Sequence, residues 1–170
     1  MLKKLKPTTP SLRAKLIVLY KEVFEKKTKV TNLIRGFSKK SGRNNSGHIT
    51  VFHRGGGNKN LFRWIDFKRQ NFLDLELIQL EKDPCRTAFI VLTKEKALNF
   101  CYSYILAPYN IMNITKIETN LWSKNKKYSY VGLNYKLKKL HVNSIIHNIE
   151  LYPGKGGQLV RSAGVYALYI

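Results

Sequence analysis

Residues 48–69 read HITVFHRGGGNKNLFRWIDFKR, two alternating segments on either side of three consecutive glycines. In the first segment every second residue falls on one face (Ile49, Val51 and His53), and residues 61–69 keep the same period of two. Side chains of an extended strand point alternately to opposite faces. The pattern therefore predicts two β-strands, over 48–54 and 61–69, joined through a glycine turn.

Further segments with strand character follow at roughly 10–12-residue intervals and are separated by turn residues such as Asp83-Pro84. Short strands at that spacing are typical of a small all-β barrel or sandwich. A polar, basic stretch at 120–127 indicates a domain boundary near residues 118–128. The predicted strands are residues 72–80, 87–93, 100–107, 111–117, 128–131, 144–151 and 165–170.

Residues 11–27 are ambiguous. Apolar residues there fall near helical spacing, which predicts a helix, but the compact apolar run at 16–20 is equally compatible with a strand.

The chain is strongly basic. Its 170 residues carry 31 Lys and Arg against 10 Asp and Glu, a formal net charge of +21. Residues 1–70 hold +15 of that charge and residues 71–170 hold +6. Such self-repulsion predicts a polyanion partner, with nucleic acid first and an anionic membrane surface second. A membrane surface would require a basic amphipathic helix. We expect no membrane-spanning segment, because no run of 18 apolar residues exists.

Two loops carry the residues suited to RNA. Around the triple glycine, Arg54, Lys59 and Arg63 are placed to reach phosphates, while Asn44 and Asn45 suit base edges or ribose hydroxyls. The alternative is a flexible solvated loop. Residues 153–158, followed by Arg161, form a second glycine-rich loop without the spacing of a nucleotide-hydrolysing phosphate loop. It is either a hairpin turn or a turn that lies on an RNA backbone.

Other chemistries have weaker support. His53, Asp66 and Glu81 are candidate acid–base residues of a nuclease, although so few carboxylates in a basic chain are expected to pair with Lys and Arg. The four histidines and two cysteines lack metal-ligand spacing, so no metal site is predicted. Exposed aromatic residues such as Phe52, Phe62 and Trp64 suit base stacking, although one face of an alternating strand is usually core.

Ordered motifs spread over nearly the whole chain resemble bacterial-type ribosomal protein L-two of the large subunit. Residues 40–50 read KSGRNNSGHIT, 53–57 read HRGGG and 65–69 read IDFKR. The opening KPTTP at 6–10 and the segment HNIELYPGKGGQ at 147–158 resemble the same family. Further matching segments are DPCRTA at 83–88, YILAP at 104–108 and RSAG at 161–164.

The resemblance implies an all-β protein with three parts: a basic, extended N-terminal arm over 1–37, an OB-fold RNA-binding domain over 38–118, and the first part of an incomplete Src-homology-3-like barrel over 119–170. It implies that residues 11–27 are mostly extended. It also implies a non-catalytic protein whose partners are large-subunit rRNA and neighbouring ribosomal proteins, with no cofactor and Mg²⁺ held only through the RNA. The residues it places on rRNA are Arg43, Asn44, Asn45, His53, Arg54, Gly55, Gly56, Gly57, Lys59, Lys68 and Arg69, and in the second barrel Lys155, Gln158 and Arg161.

The sequence ends at Ile170 inside an apolar run, partway through the family's second barrel. We therefore expect a separate polypeptide to supply the missing C-terminal part. Lys outnumbers Arg 23 to 8, as in AT-rich genomes, and the family motif already begins at Lys6, which leaves no room for a presequence. Together these features predict an organelle-encoded protein of the mitochondrial matrix ribosome, with a plastid or bacterial cytoplasm as alternatives. A free OB-fold RNA-binding factor in translation or RNA maturation is the alternative function.

Overall fold

The computed structural model describes residues 2–20, 30–69, 74–95, 101–109, 111, 116–118 and 131–170. Within these residues the protein is all-β, as predicted, and every strand pairing is antiparallel apart from one isolated bridge. The strands are β1 (Leu2–Lys4), β2 (Leu16–Val18), β3 (Ile34–Phe37), β4 (Asn60–Arg63), β5 (Asp74–Lys82), β6 (Phe89–Glu95), β7 (Tyr102–Leu106), β8 (Lys116–Glu118), β9 (Ile145–Ile146) and β10 (Ala167–Leu168).

A four-stranded sheet in the order β7-β6-β5-β8 carries the core. Both faces of β6 and β7 are covered: Ile90, Leu92 and Tyr104 are buried on one face, Val91 and Ile105 on the other. This explains why β6 is a continuous apolar run rather than an alternating one. The register between β5 and β6 shifts between Leu77 and Gln79, an irregularity of the kind that bends a strand. The arrangement is OB-fold-like, although the described strands do not close into a barrel.

The predicted strand over 48–54 is wrong. Only Ile49 pairs there, in an isolated bridge with Arg43. The Gly42 carbonyl instead accepts hydrogen bonds from Thr50 N at 2.9 Å and Val51 N at 3.2 Å, which folds the segment back on itself. His53 then takes a positive φ of 58°, which a strand does not allow. The second predicted strand forms over its first three residues only, within β4.

The helix predicted over 11–27 is wrong for residues 11–18: Leu16–Val18 is β2 and pairs with β1, whereas Tyr20 is helical. The strand alternative, and the extended conformation implied by the family resemblance, are confirmed for Leu16–Val18. Residues 21–29 lie outside the described ranges. No helix in the described part of the chain is long and apolar enough to cross a bilayer.

Residues 131–170 contain little regular structure. The predicted strands over 144–151 and 165–170 reduce to β9 and β10, which pair with each other, and Ile149 bridges to Leu159. Of the strand predicted over 128–131, residues 128–130 lie outside the described ranges and Val131 is in a turn. Many apolar side chains here face solvent, among them Val142, Ile145, Leu151, Tyr152, Val165, Tyr166 and Ile170.

Candidate nucleic-acid interface

Gly42 lies at the centre of the hydrogen bonds that shape the loop formed by residues 39–59. It is buried and has a φ of +75°, a conformation that favours glycine. Its carbonyl accepts from the Thr50 hydroxyl as well as from two backbone N–H groups. A Cβ at this position would collide with the Val51 carbonyl oxygen. The loop therefore requires glycine at 42 for its own structure, whatever it binds.

Asn44 and Arg43 are partly engaged within the loop. The Asn44 Oδ1 accepts from His48 N at 2.9 Å and from the Ser46 hydroxyl at 3.0 Å. Arg43 donates from Nη1 to the Ser41 carbonyl at 2.6 Å. The Asn44 side chain thus has only its NH₂ group left to face a base or ribose, as a donor. Asn45 is exposed.

The three consecutive glycines meet three different surroundings. A Cβ at Gly55 would find no atom within 4 Å, whereas one at Gly56 would lie 2.5 Å from the Ser41 Oγ. Gly57 has a φ of +59°. Of the three, Gly55 is therefore the one position at which the folded protein itself does not require glycine. Arg54 and Lys59 flank the triplet and are both exposed, as is His53.

The electrostatics of this region are one-sided. Residues 26–65 include ten Lys and Arg and no Asp or Glu. The segment supplies no carboxylate of its own to pair with its cations, which favours their contact with an external polyanion. Those that the structure describes as exposed are Arg35, Lys39, Lys40, Arg43, Arg54 and Lys59.

Arg63, in contrast, lies in an internal ion-pair network. Its side chain is 11% exposed, and its Nε donates to the Glu81 carboxylate at 3.2 Å. Glu81 also accepts from the Tyr104 hydroxyl at 3.1 Å, while buried Asp83 pairs with the Arg86 Nε at 2.5 Å. Burial, and then the Glu81 charge, raises the pKa of Tyr104 to about 12. This position leaves little of the Arg63 guanidinium for an RNA phosphate.

Arg69 and Lys68 belong to a turn capped by Asp66, whose Oδ1 accepts both of their backbone N–H groups at 2.9–3.0 Å. The Arg69 guanidinium donates to the Gly132 carbonyl at 2.7 Å. Its burial lowers the pKa of Arg69, an effect that Asp66 opposes. Arg69 thus joins the first predicted domain to the second, whereas Lys68 is exposed.

In the second glycine-rich loop, a carboxylate of the same chain accepts hydrogen bonds from the loop backbone. The Glu150 carboxylate accepts from Gly156 N at 2.9 Å and from Gly154 N at 3.2 Å. These backbone groups would otherwise suit a phosphate. Lys155 is exposed, while Gln158 is half-buried. Among the residues predicted for this loop, the charged side chains are therefore better placed for RNA than the backbone.

The second glycine-rich loop meets the turn of residues 66–69 at Phe67. Gly157 N donates to the Phe67 carbonyl at 3.1 Å, and the Arg161 guanidinium lies 4.6 Å from the Phe67 ring centroid. A Cβ at Gly156 would lie 3.4 Å from the Lys68 Cγ. Lys68 of the first group of predicted residues therefore sits beside the loop that holds the second group. Burial and the neighbouring Arg69 charge lower the pKa of His147 near this junction.

The nuclease alternative finds no support in this geometry. Glu81 is buried and occupied by Arg63 and Tyr104, and Asp66 caps a turn. Over the described ranges, no group of three His, Cys, Asp or Glu side chains is arranged to hold a metal ion.

Sequence reasoning missed Arg35 and Phe37. They lie on β3 beside Phe62 and Trp64, with which they form an exposed face. Their alternation in the segment Ile34–Phe37 was the available signal, but four residues are too few for a periodicity to stand out.

Comparisons with known proteins agree with the cationic surface. Residues 30–119 match the family model described as Ribosomal Proteins L2, RNA binding N-terminal domain. The large ribosomal subunit protein uL2m of Reclinomonas americana is 45% identical over 171 residues, covering 100% of this chain and 59% of that protein. The uL2 proteins of Dinoroseobacter shibae and Orientia tsutsugamushi are 42% and 43% identical. They match 99% and 95% of this chain, which spans 58% and 57% of their lengths.

Proposed function

The chain belongs to the ribosomal protein L2 family, and from that premise we propose that it is a structural constituent of the large ribosomal subunit. It binds large-subunit rRNA there and supports subunit assembly and translation. The observation that carries the proposal is the loop of residues 39–59: a pre-shaped surface with exposed cations and no carboxylate. No catalytic step and no cofactor forms part of this function, and Mg²⁺ enters only through the RNA.

The proposed contacts divide by chemistry. Arg54, Lys59 and Lys68 are exposed cations that neutralise phosphates. The Asn44 NH₂ group, Asn45 and His53 are exposed polar groups for bases or ribose hydroxyls. At Gly55 the absence of a side chain lets RNA approach the backbone. Lys155 and Arg161 extend the contact to the second loop.

The finer location is also proposed. The uL2m relative of Reclinomonas americana and the bacterial uL2 relatives support a mitochondrial or bacterial-type ribosome. We propose the mitochondrial ribosome, because the excess of Lys over Arg is typical of an AT-rich organellar gene.

The exposed apolar side chains of residues 131–170 need a covering partner in the assembled subunit. Ile145 is 70% exposed and Tyr152 and Tyr166 are each 67% exposed, and such surfaces are usually buried against protein or RNA. The sequence-based expectation of a separate polypeptide as that partner stays a prediction. Mass spectrometry of the ribosomal fraction would detect it.

Sedimentation of a native lysate on a density gradient tests the function. Co-migration of the chain with the large subunit at high salt and in Mg²⁺, and its release when Mg²⁺ is removed, are the expected results. A chain that stays at the top of the gradient under all conditions would contradict the ribosomal assignment. A free RNA-binding factor would then be the better description.

A further inference from the structure

The paired strands β3 and β4 carry an exposed aromatic face beside the loop of residues 39–59. Arg35 pairs directly with Phe62, and Phe37 with Asn60, so these four side chains share one face of the strand pair. Trp64 N donates to the Leu33 carbonyl at 3.0 Å, which continues the ladder one step beyond β4. Trp64 thereby joins the same face.

The rings of this face are in contact and open to solvent. The ring centroids of Phe62 and Trp64 are 5.6 Å apart at 90°, and those of Phe37 and Phe62 are 6.5 Å apart. Phe37 is 48% exposed and Trp64 51% exposed. The Arg35 guanidinium lies 5.6 Å from the Trp64 ring centroid. Large aromatic rings are normally buried in a folded protein. The exposed rings of this face are therefore available to contact a ligand.

The same face borders a cleft that leads into the loop of residues 39–59. A cleft of about 670 Å³ runs from Phe37 and Asn60 to Gly57, with Lys39 and Lys59 on its walls. Phe37 connects the cleft to the aromatic face. Aromatic rings beside lysines are the arrangement by which proteins hold single-stranded nucleic acid, because bases stack on aromatic faces while cations follow the backbone. The surrounding segment contains no carboxylate that would repel a phosphate.

We propose that the β3–β4 face is a stacking platform for unpaired bases of the bound RNA, with Trp64 and Phe37 as the stacking residues and Arg35 beside them. The inference rests on the proposed function, since it names the form of RNA that this part of the surface takes. The backbone of those nucleotides crosses the cleft between Lys39 and Lys59.

Binding of the full chain to two RNA probes tests the platform: a short oligouridylate and a blunt RNA duplex of similar total charge. Trp64→Ala and Phe37→Ala should each weaken oligouridylate binding roughly 5- to 100-fold at fixed salt. They should leave duplex binding and the salt dependence nearly unchanged, since no phosphate contact is lost. The matched control is Tyr109→Ala, which removes a ring that is 87% exposed outside this face.

A fluorescence measurement keeps the test valid if an alanine variant folds poorly. The chain has two tryptophans, so Trp122→Phe leaves Trp64 as the single indole. Oligouridylate should quench Trp64 emission in that background, with the platform intact. Unquenched emission at saturating RNA, or folded Trp64→Ala and Phe37→Ala variants that bind oligouridylate as tightly as Tyr109→Ala does, would overturn the platform.

The failure of the platform and that of the proposed function give different results. If Arg54→Ala and Lys59→Ala weaken binding of both probes while Trp64→Ala changes neither, the stacking platform is wrong. Phosphate binding by the loop of residues 39–59 is then still supported. If the unmodified chain binds neither probe and leaves the large subunit in the gradient, the proposed function itself is wrong.

Discussion

At the scale of single residues, the glycines of the 39–59 loop differ in what a side chain at each position would contact. Gly42 is held by a steric requirement of the backbone, and Gly56 lies against Ser41. Gly47 and Gly55 would each admit a Cβ without contact, but only Gly47 has a positive φ, of +79°. Substitutions at these positions therefore separate strain, collision and contact with RNA.

Gly42→Ala should destabilise the free protein more than Gly47→Ala. Both substitutions place a side chain at a positive φ, which costs about 1–2 kcal/mol. Gly42→Ala adds a collision with the Val51 carbonyl, so its loss of unfolding free energy should exceed that of Gly47→Ala by about 1 kcal/mol or more. Urea unfolding of the two variants measures the difference. Equal losses would show that the backbone at Val51 moves freely.

Gly55→Val should leave stability nearly unchanged and weaken RNA binding. A Cβ at this position has no protein atom within 4 Å, so a loss of affinity in a variant of unchanged stability would come from RNA that lies close to the backbone. We expect roughly a tenfold or greater loss, measured by filter binding to an rRNA fragment. Unaltered affinity would mean that the triplet is only a turn. Gly56→Val is the poorer test, because the Ser41 side chain would have to move.

Tyr104→Phe should remove a pH dependence of stability. The pKa of Tyr104 is about 12 in the folded protein and about 10 when unfolded. Because the folded state favours the neutral phenol, its contribution is present below pH 10 and is lost as the pH rises towards 12. The wild type should exceed the variant by about 1–3 kcal/mol at neutral pH, and that difference should shrink above pH 10. A difference that stays constant up to pH 11.5 in urea unfolding would contradict it.

At the scale of elements, the ion-pair network ties β4 to the main sheet. Arg63 ends β4, Glu81 lies near the end of β5 and Tyr104 is central in β7, so one carboxylate connects three strands. Buried pairs of this kind add little net stability but are costly to break, because the remaining charge is left without a partner.

Glu81→Gln should accordingly destabilise the protein by about 2–4 kcal/mol, since Arg63 keeps only the longer contact of 3.9 Å to Asp83. The matched control is Glu76→Gln, the same chemical change at an exposed position of the same strand. It should change the free energy of unfolding by less than about 0.5 kcal/mol. Equal effects in thermal or urea unfolding would show that the network is dispensable.

Prediction of these elements from sequence succeeded where the local pattern decides the structure. β6 and β7 contain short apolar runs of the kind typical of strands covered on both faces, and both were predicted. The segment 48–54 alternates equally well but folds as a loop, because hydrogen bonds to the distant Gly42 carbonyl outweigh local propensity. The charge pattern indicated the candidate interface, whereas the inward direction of Arg63 depends on Glu81, 18 residues away, and no local signal reveals it.

At the scale of the whole molecule, four of the carboxylates in the described ranges make contacts within the chain. Glu81 and Asp83 lie in the core, Asp66 caps a turn and Glu150 fills a loop. The exposed Lys and Arg then dominate the electrostatic field around the protein, which favours a polyanion partner.

Affinity for an rRNA fragment should therefore fall steeply with salt. If about six or more phosphates are neutralised, the association constant should drop roughly 1,000-fold or more between 50 and 200 mM monovalent salt. Titrations at four salt concentrations give the slope directly. A shallow slope would contradict binding through Arg54, Lys59 and their neighbours, and would favour contacts that are mainly polar or apolar.

The carboxylate of Glu150 also has a consequence for the kinetics of assembly. Because it already satisfies Gly154 and Gly156, residues 153–157 hold their shape before any phosphate arrives. Little ordering entropy is then lost at that loop during encounter, so this loop should not add a folding step to the association with RNA. The share of the heat-capacity change that comes from ordering this loop should be correspondingly small.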